Sequence, residues 1–395
     1  MRNMIISLPF QKDSPSIMSR SDVKQPLLTG FAVIDALVPV GLGQRQLIIG
    51  NKGTGKTTLV LNIIKNQKRS NRYFSPESRG RDRIFCVYVA IGLRLQKVKT
   101  FLHALKKTQC DWYTAVIDGS AARPFAQQYL SPFAACTYGE IYRDNGLNAL
   151  VVYDDLDKHA NAYREANLLI RNPSGREAYP GDIFYIHARL LERAAQFSKY
   201  YGYGSLTALP VVEIKGDNLN TYIPTNLISI TDGQWFLRTD YSKKGLYPAL
   251  DIEKSVSRIG RKAQSSLMSW ISGDFKANLL SYLRISELLS MGVSVSNEQR
   301  ASYNSGLAAL GVWNQTTPRF FEDNILTIVA SNLKLISPEQ PKKSIILLLE
   351  QTYKNSPYIL SGILSHKHLN AKNGKLLRIK KFIVRYLYML TSNLK

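Results

Sequence analysis

Gly50-Asn51-Lys52-Gly53-Thr54-Gly55-Lys56-Thr57 follows the apolar run Leu47-Ile48-Ile49 and leads into Thr58-Leu59-Val60-Leu61-Asn62-Ile63-Ile64, a stretch suited to a helix. Every fixed position of the phosphate-binding loop pattern is filled, in strand-loop-helix context. The dense negative charge of a triphosphate is met by backbone N–H groups gathered at a helix N-terminus. Gly50 and Gly55 permit the tight path, Lys56 is expected to reach the β- and γ-phosphates, and the Thr57 hydroxyl is expected on Mg²⁺. A glycine-rich turn that merely happens to carry Lys-Thr leaves both flanks unexplained.

Such a loop needs a second strand ending in an acid. Leu147-Asn148-Ala149-Leu150-Val151-Val152-Tyr153-Asp154-Asp155 is a continuous apolar run closing on two carboxylates, the pattern of a buried parallel strand. Asp154 is the candidate for positioning Mg²⁺. Asp155 reads either as a supporting group behind it or as a helix N-terminal group. Turnover would further require a base or water-positioning residue beside the γ-phosphate. The strand candidate between the two motifs, Ile84 to Gly92, is followed by Leu93-Arg94-Leu95-Gln96, none of which takes a proton from water. The site therefore reads as one that binds ATP better than it cleaves it.

At 395 residues, 45% hydrophobic and 21% charged, the chain is long enough for two or three domains and is not of disordered type. Its formal charge of +23 favours anionic partners: nucleic acid, an anionic membrane surface or an acidic protein. The tail from Ala371 to Lys395 carries seven basic residues and no acid, and reads either as a solvated helix face or as a partner-binding one. Cys86, Cys110 and Cys136 have neither metal-site spacing nor a disulfide framework. Met1 to Ser19 has mixed character with Pro9 and Pro15, giving an irregular arm rather than a cleavable signal.

From Leu47 to about Gly260, apolar runs alternate with helical stretches. The runs are Tyr113 to Ile117, the Asp154 strand, Leu206 to Val212 and Leu227 to Ile230, and their rhythm predicts a mostly parallel sheet covered on both faces. Gly30 to Leu37 reads as a short helix, Ile183 to Tyr200 as an amphipathic covering helix, and Gly175 to Asp182 as a polar turn. Beyond Gly260 apolar residues recur every three to five positions. The expected division is an irregular arm over 1–18, a P-loop nucleotide-binding domain over 19–264 and a helical C-terminal domain over 265–395.

Longer words resemble the alpha subunit of the rotary F-type ATP synthase. They include Gln44-Arg45-Gln46-Leu47-Ile48-Ile49-Gly50, Val151-Val152-Tyr153-Asp154-Asp155-Leu156, Gly175-Arg176-Glu177-Ala178-Tyr179-Pro180-Gly181-Asp182 and His187-Ala188-Arg189-Leu190-Leu191-Glu192-Arg193-Ala194-Ala195. Gly204 to Pro210, Tyr222 to Asn226 and Ile228 to Gln234 complete the block. The likeness is strong from about Ser19 to Gln264 and faint afterwards. It implies a RecA-like α/β core, and a hexameric ring in which alpha subunits hold Mg-ATP or ADP without turnover and alternate with catalytic beta subunits. It further implies a central-stalk gamma subunit and a peripheral stalk as partners, and no direct nucleic-acid role.

Within that resemblance, Ser255-Val256-Ser257-Arg258-Ile259-Gly260 matches the segment that sends an arginine into the neighbouring beta subunit's site, so Arg258 is the expected catalytic contribution in trans. Leu93 replaces the family's usual glutamine. Asn51-Lys52-Gly53 replaces Asp-Arg-Gln, which puts metal environment and base contact in doubt. Tyr247 stands where alpha subunits carry arginine, and aromatic stacking on adenine is its expected role; internal packing is the alternative. The expected nucleotide-binding set is thus Gly50, Asn51, Lys52, Gly53, Thr54, Gly55, Lys56, Thr57, Thr58 and Tyr247, with Thr57 and Asp154 at the metal. The family's leading barrel has no counterpart before Ser19, so the expectation is either that a separate polypeptide supplies it or that the ring does not form normally. The resemblance and the abundance of Lys, Asn, Ile and Tyr place the chain on the matrix side of a mitochondrial inner membrane, with plastid and bacterial membranes as alternatives. Competing accounts are a diverged assembly protein with weakened nucleotide binding and a nucleic-acid-dependent hexameric ATPase; the latter needs a catalytic carboxylate of its own, and none follows Gly92.

Overall fold

The computed structural model describes residues 8–72, 83–216, 218–355 and 383–387. Its contacts gather into two compact units interleaved in sequence: Met1–Lys24, Val40–Lys244 and Ala249–Ile259 form one, and Gln25–Pro39, Gly245–Pro248 and Gly260–Lys395 form the other. Apart from 383–387, the basic tail lies outside the described residues.

Seven strands build the sheet of the first unit: β1 (Leu47–Gly50), β2 (Ile84–Ile91), β3 (Thr114–Gly119), β4 (Asn148–Asp154), β5 (Ser205–Glu213), β6 (Gly233–Leu237) and β7 (Val256–Ser257). Their spatial order is β3-β2-β4-β5-β1-β6-β7. All pairs are parallel except β6 with β7, which is antiparallel at one edge. Central strands are buried on both faces, which explains their unbroken apolar runs. Leu47, Val87, Val89, Val151 and Leu206 face a core completed by Phe133, Ala160, Leu190 and Leu227 from the helices. Alternate residues, including Tyr88 and Asp154, point to the other face, where Tyr88 stacks on Phe101 at 3.9 Å between centroids.

The α-helices are numbered along the whole chain: α1 (Ala32–Leu37) belongs to the second unit, and α2 (Lys56–Arg72), α3 (Leu95–Lys107), α4 (Phe125–Asp144), α5 (Leu156–Leu169), α6 (Ile183–Leu191), α7 (Tyr222–Ile230) and α8 (Thr239–Lys243) to the first. Two sequence expectations need correction. Leu227 to Ile230 is the end of α7, because Ile223, Leu227 and Ile230 recur at helical spacing and bury together; the strand is Gly233–Leu237. The helix beginning at Ile183 stops at Leu191 rather than Tyr200. Beyond it the backbone turns extended, with Leu206 N–H donating to Ala195 O and Phe197 N–H to Gly204 O.

Arg193 fixes that exit. Its side chain is 1% exposed and donates to both Glu140 oxygens on α4, at 2.9 and 2.7 Å, and to Thr137 Oγ1 at 2.9 Å. A further bond to Phe10 O, at 2.8 Å, anchors the N-terminal arm against the same unit. Arg143 closes the group by donating to Arg193 O at 2.7 Å.

In the second unit α9 (Ser266–Ser290), α10 (Asn297–Trp313), α11 (Phe321–Asn332) and α12 (Pro341–Asn355) follow one another, as the late apolar periodicity predicts. Ser265 caps α9 through Met268 N, and Ser296 with Gln299 forms a capping box on α10. Helix α1 joins this unit: Gln264 Nε2 donates to Asp35 O and Ala36 O, and Gln315 Oε1 accepts from Ala32 N.

Replacing Arg193 by Ala should destabilise the full chain by about 3–5 kcal/mol in urea unfolding, because the buried Glu140 loses both hydrogen bonds of its closest partner and keeps only the longer contacts to Arg143 at 3.5 Å and Lys12 at 3.6 Å. A loss under about 1 kcal/mol, the level of a surface pair, would contradict the role given to this group.

Candidate functional site

The loop after β1 turns back on itself through Gly53 and Gly55, at φ +84° and +91°, a region that suits glycine. Thr54 is buried and its hydroxyl donates to Asn51 O at 2.8 Å. Lys56 begins α2 and folds over the loop, donating to Gly50 O at 2.6 Å and to Asn51 O at 2.7 Å. Burial holds the Lys56 ammonium below its ordinary pKa, with Glu213 foremost among the acids that oppose the shift. Thr58 follows, exposed, at the helix N-terminus. The replaced segment is not idle: Asn51 Nδ2 donates to Thr239 Oγ1 on α8 at 2.8 Å.

Parallel register brings the second motif alongside. Gly50 pairs with Glu213, and Asp154 lies level with Val211 on one side and Ala90 on the other. Asp154 is 3% exposed, and Oδ2 accepts from Thr57 Oγ1 at 3.0 Å and from Tyr88 OH at 2.8 Å. Burial and the carboxylate raise the Tyr88 phenol well above its usual pKa, so it remains a donor. Asp155 caps α5, with Oδ1 accepting from Lys158 N at 3.0 Å, in keeping with one of its two sequence readings.

A cavity of about 550 Å³ opens over these groups, within the range of small-molecule sites. Lys52, Gly53, Gly55, Lys56, Thr57, Thr58 and Asp154 all line it. Leu93 lines it too: Gly92, at φ +59°, turns the chain after β2 where a Cβ would meet Lys158 at 2.8 Å. The turn thus presents an aliphatic group beside the phosphate loop. Asp155 lines the cavity as well, and Glu213, Lys97 and Phe101 are lining residues that motif reading did not supply. Tyr88 and Glu213 could have been found from strand register, since one sits two positions before the residue level with Asp154 and the other pairs with Gly50.

The hard oxygen donors Thr57 and Asp154, already 3.0 Å apart, suit Mg²⁺. No cluster of three or more His, Cys, Asp or Glu is present among the described residues to cage an ion unaided, so water and phosphate would complete such a shell.

Tyr247 lies in the second unit, half-buried, meeting Phe31 edge-on at 5.8 Å, with its N–H donating to Asn314 Oδ1. Arg258 follows the edge strand β7. Its N–H donates to Asp232 O at 2.8 Å, while its side chain is exposed and makes no ion pair among the described residues.

Burial lifts the Asp155 carboxyl from 3.8 to about 7, with Lys158 opposing and Asp154 adding to the rise. The folded chain thus binds a proton that the unfolded chain releases, and Asp155 costs stability as pH rises from about 4 to about 7. Asp155→Asn should flatten that decline in melting temperature relative to wild type; an unchanged decline would contradict the assignment.

The profile of the ATP synthase alpha/beta family, nucleotide-binding domain, matches residues 30–257. The ATP synthase subunit alpha of Orientia tsutsugamushi (strain Ikeda) is 42% identical over 367 residues, covering 92% of this chain and 71% of that protein. That of Anaplasma marginale (strain Florida) is 43% identical over 325 residues, covering 82% and 63%. That of Rickettsia bellii (strain OSU 85-389) is 39% identical over 382 residues, covering 95% and 73%. The phosphate loop, the Asp154 strand and the sheet carrying them lie inside the matched region, and the chain belongs to the ATP synthase alpha/beta family.

Proposed function

We propose that the chain is a nucleotide-binding alpha subunit of an ATP synthase head that retains Mg-ATP or ADP at its own loop and serves catalysis at a neighbouring beta subunit. The observation carrying this reading is a contrast within one cavity: the phosphate-holding and metal-holding groups are assembled, yet the turn after β2 supplies Leu93 where a water-directing carboxylate would stand. Glu213 enters the cavity from β5 as the main counter-charge to Lys56.

On binding, Lys56 would exchange the carbonyls of Gly50 and Asn51 for β- and γ-phosphate oxygens, with the α2 N-terminus and loop N–H groups closing round the chain. Thr57 and Asp154 would hold Mg²⁺, which offsets phosphate charge, and Tyr88 keeps the Asp154 carboxylate oriented. Tyr247 is proposed as an adenine-stacking residue. Arg258 would offer its fork of donors to phosphoryl oxygens in the adjacent subunit, consistent with its exposed position after the edge strand. The proposed partners are alternating beta subunits in a hexameric ring, a central-stalk gamma subunit and a peripheral stalk.

The proposed location is the matrix face of a mitochondrial inner membrane, as a peripheral part of the complex. Its support is the charge of +23, suited to an anionic surface, and the Lys-, Asn-, Ile- and Tyr-rich composition; no described helix is long and apolar enough to cross a membrane. A second reading, an assembly subunit with weakened nucleotide hold, is favoured by Gly53, which has no side chain to offer a base and where an added Cβ would meet nothing within 4 Å.

Titration of the full chain with Mg-ATP separates the two: tight binding that falls roughly 100-fold in Lys56→Ala supports the first, and no binding by wild type supports the second. Arg258→Ala should cut ATP synthesis by the assembled complex about a thousandfold, the scale of a transition-state arginine, while this chain still binds nucleotide. Unchanged synthesis would reject the role in trans.

A further inference from the structure

Asp154 is held in a way that limits what it can offer a cation. Its Oδ2 accepts from Thr57 Oγ1 at 3.0 Å and from Tyr88 OH at 2.8 Å, so both acceptor sites of that oxygen are taken. The two donors differ in kind. Thr57 stands in the first turn of α2 and lines the cavity; having given its proton to Asp154, its oxygen keeps lone pairs for an ion. Tyr88 lies on β2, 1% exposed and absent from the cavity lining, with its ring stacked on Phe101 at 3.9 Å and 18° between planes. Its hydroxyl therefore acts on the site only through Asp154. A phenylalanine would make the same stack, so the hydroxyl is the part that the stack leaves unexplained.

Divalent cations differ in what they ask of a carboxylate. Magnesium demands a tight octahedral shell and keeps several of its waters, whereas calcium takes about six to eight oxygens and readily draws in both oxygens of one carboxylate. With Oδ2 committed to two hydroxyls, Asp154 can meet an ion through Oδ1 or through a water; chelation by both oxygens would first break the bond to Thr57 or to Tyr88. No cluster of three or more His, Cys, Asp or Glu among the described residues supplies the oxygens that calcium would then lack. From this arrangement we propose that Tyr88 is a positioning residue for metal selectivity, its hydroxyl barring two-oxygen chelation by Asp154 so that nucleotide is held with Mg²⁺ in preference to the larger Ca²⁺. The inference rests on the nucleotide-binding reading above. Burial keeps the phenol protonated, so the bar stands at every pH at which the fold does.

The test is calorimetric titration of the full chain with ATP in excess magnesium, in excess calcium, in excess strontium and with all metal chelated. Wild type should bind ATP about tenfold more tightly with magnesium than with calcium, the scale of one charge-assisted hydrogen bond, and no more tightly with strontium than with calcium. In Tyr88→Phe the ratio of magnesium to calcium affinity should fall to about one through a gain with calcium, while metal-free binding keeps its wild-type value. Loss of affinity by the same factor in all four conditions marks Tyr88 as support for the fold alone and overturns the proposal. A magnesium preference that survives Tyr88→Phe also overturns it. The wild-type series stands without the variant: equal affinity with the three metals overturns the selectivity whether or not Tyr88→Phe folds. Failure of wild type to bind ATP in any of the conditions overturns the nucleotide reading and the selectivity together.

Discussion

Parallel pairing in strict register is the constraint on which the site depends. Gly50, Asp154, Glu213 and the turn after Ile91 come from positions far apart in the chain, yet all are strand ends, and parallel strands deliver them to one edge of the sheet. Because β4 and β5 lie between β1 and β2, the loop after β1 and the turn after β2 flank the ends of the two strands that bring carboxylates. Ligands of open α/β sheets sit at such a crevice. A register slip of one residue would turn Asp154 to the far face and separate it from both Thr57 and Tyr88.

Around Asp154 the energetics follow from burial. A carboxylate at 3% exposure is costly unless its lone pairs are used, and two hydroxyl donors use them. Magnesium would find an oriented oxygen pair rather than a mobile acid. One residue further, Asp155 is held by the first turn of α5 and has its pKa raised to about 7, so the two adjacent acids have separate duties.

Much of this was legible in the sequence because it is local. The loop, its flanks and the apolar strand before Asp154 are each read within ten residues, and so are the late helices. What escaped depends on neighbours brought together by folding. Ile183 to Tyr200 has continuous helical periodicity, but Arg193 is drawn to Glu140 and the chain after it pairs with β5, neither of which periodicity contains. Leu227 to Ile230 is too short a run for its period to be judged alone. Tyr88, Glu213 and Lys97 carry no motif; register brings the Tyr88 hydroxyl to Asp154, while the end of β5 and the face of α3 bring Glu213 and Lys97 to the cavity. The grouping of Gln25–Pro39 with the C-terminal helices is likewise invisible in sequence order.

The central claim is retention of nucleotide without turnover, and it turns on whether Glu213 can do what Leu93 cannot. The most direct measurement loads the full chain with Mg-ATP carrying a labelled γ-phosphate, removes free nucleotide and follows the label. The account predicts that the bound triphosphate is recovered intact after many minutes. Steady release of labelled orthophosphate by this chain alone, abolished by Glu213→Gln, would contradict it.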